Sequence, residues 1–235
     1  MIPATYVGKE LDIFANAIRW KKYWSSKILP YLTGDVLEVG SGQGTNTAFL
    51  KSAGVSSWTC LEPDPELVLR TIQKFQSHPL LTDCRVETGT TATIGSNRQF
   101  DAILYIDVLE HIENDHLEMQ RASQLLRRGG KIIVLAPAHQ WLYTPFDRAV
   151  GHFRRYDKSS LSACTPSGCK CLLLDYLDSA GLAASLINRL ALQQDMPSLS
   201  QILFWDRLLV PVSQLLDLVT FSRVGKSILG IWEKY

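Results

Sequence analysis

Three groups of residues carry types and spacings able to do chemistry. The first is Val36-Leu37-Glu38-Val39 running into Gly40-Ser41-Gly42-Gln43-Gly44. Glycines just after a strand let the backbone turn sharply and approach a ligand, and a following helix presents its N–H groups to the ligand's polar end. Dinucleotide loops favour GxGxxG, with a third small residue for tight helix–strand packing. Here that third position is Thr45 and the glycines fall as GxGxG. Glu38, two residues before Gly40, would sit at the strand's carboxyl end, where a pyrophosphate is disfavoured and an ammonium or sulfonium is not. The spacing therefore favours a cationic cofactor. Glu62 lies 22 residues beyond Gly40, where an acid that grips a ribose is expected. The second group, Asp107-Val108-Leu109-Glu110-His111, follows an apolar strand, and His111 is a candidate base. Third is a polar and aromatic insert over residues 138–160, carrying Tyr143, Asp147, His152, Arg154, Arg155 and Tyr156. Surface loops seldom gather such side chains without a function. His152 is the candidate to face an acceptor as a base. Tyr143, Arg154, Arg155 and Tyr156 are candidates to bind that acceptor, an arginine pairing with an anionic group on it. The alternative is that the arginines pair with Asp147 and Asp157 and shape the loop.

The elements that must position these groups alternate. Short apolar strands at 36–39, 58–61, 85–88, 100–106 and 131–136 are separated by helical patterns opening at Thr45, at Asp64-Pro65 and near Asn114. The last of these is expected to run to Arg128, with Leu117, Leu125 and Leu126 inward and Gly129-Gly130 as its stop. Alternation implies βαβ units, a mainly parallel sheet and a Rossmann-like three-layer α/β sandwich. Residues 9–29 read as one N-terminal helical lid. The expected division is 1–33 lid, 34–137 cofactor-binding core, and 138–235 an acceptor-side part of the same domain. That last part holds the insert, an apolar helix pair over 198–221 split by Pro211, and an edge strand over Ser227–Trp232.

These elements and motifs together resemble the class I S-adenosylmethionine-dependent methyltransferases. VLEVGSGQG is similar to that family's first motif, and LEPDPEL, FDAILYIDVLEHI and LLRRGGKIIVLAP follow in the family's order, covering residues 30–137. The resemblance implies S-adenosylmethionine as cofactor, the methionine part held by Glu38, Ser41 and the backbone of Gly40, Gly42 and Gly44. It implies ribose hydroxyls on Glu62, the adenine beside Pro63, and further contacts from Asp107 and Tyr6. Where the family often places Asp beside the adenine this chain has Thr88-Gly89-Thr90-Thr91, leaving Thr90 as the substitute. The stretch Gly151-His152-Phe153-Arg154-Arg155-Tyr156 resembles bacterial members acting on small molecules, sugars or lipid-linked glycans.

Composition narrows the partners. With 24 Lys plus Arg against 23 Asp plus Glu, the net charge of +1 gives no field to gather nucleic acid. The expected acceptor is a small molecule, at oxygen before nitrogen. No run of 18 uncharged apolar residues and no leader pattern is seen, and the five cysteines read as reduced thiols in the cytoplasm. The Cys164, Cys169 and Cys171 cluster is too sparse for a metal set, and no metal is expected. Residues 198–221 have three candidate destinations: core burial, a homodimer seam, or peripheral contact with a membrane bearing a lipid-like acceptor. Two alternatives of other classes are a nicotinamide-dependent oxidoreductase and a non-catalytic partner subunit. Gly225-Lys226-Ser227 is no P-loop, because the required earlier glycine position is Thr220.

Overall fold

The computed structural model describes residues 9–52, 54–187 and 197–235. Seven strands form one sheet in the order β3-β2-β1-β4-β5-β7-β6. They are β1 (Gly34–Val39), β2 (Val55–Glu62), β3 (Arg85–Thr88), β4 (Phe100–Ile106), β5 (Leu126–Pro137), β6 (Cys169–Leu177) and β7 (Ser227–Lys234). The first five are parallel, and β7 runs antiparallel to both neighbours. Sequence order reverses between β1 and β4, so the crevice at their carboxyl ends is where an open α/β sheet receives ligands.

Strand burial follows the pleat. In β4, Ala102, Leu104 and Ile106 join one core while Ile103 and Tyr105 join the other, each set on its own face of the sheet. The first core is roofed by α2 (Ile18–Ile28), through Trp20, Trp24 and Ile28, and by α9 (Leu199–Phe204) and α10 (Val210–Val219). The second is covered by α5 (Asp115–Gln124) and α7 (Lys158–Ala163). The remaining helices are α1 (Lys9–Phe14), α3 (Thr47–Leu50), α4 (Pro65–Gln76), α6 (Pro145–Ala149) and α8 (Ser179–Ile187).

Several expectations change. The N-terminal helix is two, because the Asn16 amide bonds the Asp12 and Ile13 carbonyls and closes α1. Ala17 cannot cap α2 by a side chain; Asp206, from the far end of the chain, accepts from the Arg19 and Trp20 N–H groups instead. Helix α3 starts at Thr47 rather than Thr45, since Gly40, Gly42 and Gly44 all have positive φ and prolong the turn. Helix α5 ends at Gln124 and β5 begins at Leu126, pairing with Phe100, so Gly129-Gly130 lie within a strand at a register shift. Met119 and Ala122 face inward there, whereas Leu117 is 44% exposed. Pro211 does not split the C-terminal segment: a π-helical turn over Trp205–Leu209 leads straight into α10, whose first turn tolerates proline. Strand β7 is not at an edge; it is inserted between β5 and β6. Gly225 serves that insertion, since a Cβ there would lie 2.2 Å from the Leu177 carbonyl oxygen.

Buried carboxylates tie the C-terminal helices to the sheet. Asp217 of α10 accepts from Tyr23 Oη at 2.7 Å, from the Asp178 and Ser179 N–H groups at 2.8 and 3.0 Å, and from the Ser179 hydroxyl. Asp178 in turn accepts from Trp205 Nε1 at 2.7 Å and Ser213 Oγ at 2.5 Å. Replacing Asp217 by Ala leaves these buried donors without an acceptor. The expected loss is about 3 kcal/mol, read as a fall in melting temperature of roughly 6–12 °C for a chain of this size. An Asp217→Ala protein melting as the wild type would show that this network contributes nothing.

Candidate functional site

The glycine turn is shaped by protein packing on two sides and open on a third. A Cβ on Gly40 would meet Val108 at 2.7 Å, and one on Gly44 would meet Phe75 at 2.5 Å. One on Gly42 would meet only Leu11 of α1, at 3.7 Å. Gly40 and Gly44 are thus demanded by the fold, while Gly42 has room beside it and α1 reaches over it. The Gly42 N–H donates to Glu62 Oε2 at 2.8 Å and the Asp64 N–H to Oε1 at 3.1 Å. Each carboxylate oxygen keeps a lone pair for a further donor such as a sugar hydroxyl. Burial pushes the Glu62 carboxyl up, and the two N–H groups pull it back. Ser41 Oγ is buried with no hydrogen-bond partner. An orphaned hydroxyl in a glycine loop is what a polar ligand would satisfy, so these residues fit the cofactor the motif implies.

Glu38 lies deeper than expected. It is buried, with Oε2 accepting from Thr47 Oγ1 at 2.7 Å and Trp58 Nε1 at 3.0 Å. It therefore braces α3 against β2, and burial pushes its carboxyl up. Reading the sequence alone missed the cation near it. Lys21 of α2 is buried and donates to Asn46 Oδ1 at 2.7 Å and Thr45 Oγ1 at 3.3 Å. Burial lowers its pKa to about 8, even though Asp107 and Glu38 pull the other way. Only its place on the polar edge of an otherwise aromatic helix hinted at a role. Asp107 stands across the crevice at the end of β4 with φ 56°, a strained backbone for a residue with a side chain. Pro63 and Thr90 are exposed at the ends of β2 and β3, and the Thr90 N–H donates to Thr93 Oγ1. Tyr6 lies outside the described residues.

The insert is held together mostly by its own charges. Arg155 grips Asp147 with two nitrogens, at 2.8 and 2.9 Å, and Asp147 also accepts from the Thr144 N–H and hydroxyl. Burial alone would raise the Asp147 carboxyl, but His152 and Arg155 hold it well below the usual range. Arg154 pairs with Asp115 rather than Asp157, whose side chain caps α7. Tyr156 is buried and donates to Asp115 at 2.8 Å, and Tyr143 donates to the His152 carbonyl at 2.6 Å. These four residues are paired or hydrogen-bonded within the insert and to the start of α5. The histidines differ. His152 Nδ1 lies 2.8 Å from Asp147 Oδ1 and its ring packs edge-on against His111, centroids 4.5 Å apart. Burial and His152 lower the His111 pKa to about 4, so it is neutral at pH 7.

The model of a family described as "Methyltransferase domain" matches residues 17–193. The chain belongs to that family. S-adenosylmethionine is its methyl donor, the chain is an enzyme, and the nicotinamide and non-catalytic alternatives fall. A search of curated proteins returns no match. Among solved structures, a putative methyltransferase of Haloferax volcanii, in complex with the Trm112 activator, is 13% identical with a TM-score of 0.65, covering 98% of this chain and 96% of that one. A putative sarcosine dimethylglycine methyltransferase from Galdieria sulphuraria is 18% identical with a TM-score of 0.59, covering 92% and 86%. The N-methyltransferase NodS from Bradyrhizobium japonicum is 12% identical with a TM-score of 0.57, covering 93% and 96%. All three share the fold.

The contrast between glycines is testable. Gly44→Ala must displace Phe75 and hold Ala at φ 63°, so a loss of roughly 2–4 kcal/mol is expected in denaturant unfolding. Gly42→Ala, with φ 54° but no overlap, should lose about half of that. Equal losses would contradict the packing described.

Proposed function

We propose that this methyltransferase acts on a hydroxyl oxygen of a small molecule bound at the carboxyl ends of β1, β4 and β5. The observation that carries the reading is the pair of partly buried histidines there. Asp147 is held ionised and can only accept, so His152 Nδ1 carries a hydrogen and Nε2 is the ring nitrogen left to face an acceptor. An amine acceptor is nucleophilic once neutral, but a hydroxyl benefits from a group that takes its proton as the methyl moves. Transfer from a sulfonium is otherwise a matter of alignment and exclusion of water. The near-neutral net charge supports a small acceptor over a nucleic acid, and the five unpaired cysteines fit a reducing compartment, the cytoplasm.

Lys21 completes the cofactor end in this reading: its ammonium binds the carboxylate of the methionine part, with Glu62 on the ribose and Ser41 and Gly42 between them. A charge-assisted bond of this kind is worth about 1.5–3 kcal/mol, so Lys21→Met should weaken binding of S-adenosylhomocysteine roughly 10–100-fold by calorimetry. Lys21 is charged below its pKa of about 8. A ligand that prefers the charged form raises that pKa, so affinity is full below about pH 8 and falls as pH rises through it. The fall should vanish in Lys21→Met; a wild-type affinity that is flat to pH 10 would remove Lys21 from the site.

A second reading has its own observation. Phe204, Leu208, Leu215, Leu218, Val219 and Phe221 are all exposed, while Ile202, Trp205 and Val210 face the core. Among the described residues no helix is long and apolar enough to cross a membrane. The outer face suits a lipid-like acceptor at a membrane surface, or a second copy of the chain. Sedimentation with phospholipid vesicles, abolished by Leu215→Glu with Leu218→Glu, is the outcome that favours this reading; no sedimentation in either protein removes the membrane arm.

A further inference from the structure

We propose that Glu110, His111 and His152 form a binding site for one divalent transition-metal cation. Their ligand atoms lie within 4.8 Å of one another, and His152 Nε2 is 3.9 Å from Glu110 Oε1. Glu110 supplies the decisive observation. Its side chain is wholly buried and neither carboxylate oxygen has a hydrogen-bond partner. As an anion it is a buried charge with no hydrogen bond, faced by His152 Nε2 only at 3.9 Å, and protonated it is a buried donor without an acceptor. Neither state is satisfied by the protein, and the neighbouring Asp107 adds negative potential rather than relieving it. Arg155, a nearby cation, is committed to Asp147.

The surroundings have the form that metal-binding histidines take. Asp147 receives His152 Nδ1 at 2.8 Å, fixing the tautomer with Nε2 toward Glu110, and is itself fixed by Arg155 and Thr144. A carboxylate behind a ligating imidazole orients it and raises its basicity. His111 bonds the Gly151 backbone, which orients its ring. By contrast, Asp115, His116 and Cys164 also cluster, but Asp115 is already spent on Arg154 and Tyr156. Two imidazoles and one carboxylate suit Zn²⁺, Co²⁺, Fe²⁺ or Mn²⁺ rather than Ca²⁺ or Mg²⁺. Three protein ligands leave positions for water or substrate.

The site deepens the hydroxyl-acceptor reading and, in its catalytic consequence, rests on it. A coordinated acceptor hydroxyl has a lowered pKa and sheds its proton to solvent. The oxygen then forms its bond to the methyl carbon as the carbon–sulfur bond breaks, leaving a neutral thioether. With the cation bound, the histidine pair acts on the acceptor proton through the metal, which replaces the direct proton transfer described for the metal-free site.

The test uses Co²⁺ with the full chain, without cofactor or acceptor. One equivalent is expected to bind, with visible absorption of a site containing nitrogen ligands, and to shift and broaden the ring resonances of His111 and His152 but not those of His78 and His116. Glu110→Gln and His152→Gln should each weaken binding at least tenfold, while unchanged calorimetric binding of S-adenosylhomocysteine shows that each variant is folded. The proposal is overturned if no stoichiometric Co²⁺ binds, or if it binds with the His111 and His152 resonances unmoved. The resonance arm needs no variant, so misfolding of either one leaves the question decided. Failure of cofactor binding in the wild type would sink the methyltransferase site and leave the metal result standing by itself.

Discussion

The structure depends on the geometry at the switch between β1 and β4, where parallel strands diverge and three positive-φ glycines carry the chain across the opening. Gly40 lets Val108 close in from the turn after β4, Gly44 lets Phe75 and Thr71 close in from α4, and Gly42 is left facing the crevice under Leu11. Glu62 then locks the turn by accepting from Gly42 and Asp64. A single loop is thus pinned by two helices and two strands, so polar atoms aimed at a ligand keep their positions without the ligand's help. That is preorganisation, and it lowers the ordering cost of binding.

Around that point the chain spends its charged residues in two ways. At the insert, Asp147 from within it and Asp115 from α5 each collect an arginine and further donors, and the result is a rigid scaffold. Near the crevice, buried Lys21 and Glu110 and partly buried His111 have their titrations displaced by loss of water. Perturbed groups gathered in one cleft are the pattern that functional sites show, because placing them there costs stability that the rest of the fold must offset.

Much of this was legible in the sequence because it is local. The β4 pleat, the Asp64 cap and the glycine turn are written in adjacent residues, and the structure has each of them. What could not be read is non-local. Asp206 caps a helix that begins nearly the whole chain away, and a cap search beside Ala17 finds nothing. Lys21 looks like a surface cation on a helix until the fold brings Asn46 to it. Arginine next to tyrosine in the insert suggests an anion site, but Asp115 and Asp147 consume both guanidiniums, and Asp115 lies far outside the insert. Leu126 and Gly129-Gly130 mislead in the opposite sense, since a helical pattern runs on into what tertiary pairing makes a strand.

The position of β7 has a kinetic side. Because it fits between β5 and β6 and runs antiparallel to both, each of them lacks backbone partners on that side until a strand later in the sequence arrives. The apolar β5, with Ile132 through Ala136 buried on both faces, must wait with an open flank. Pairings so distant in sequence form slowly, and an unsatisfied flank of that kind is where two nascent chains would join. Aggregation during synthesis or refolding is therefore governed by how fast β7 inserts, more than by the stability of the finished sheet.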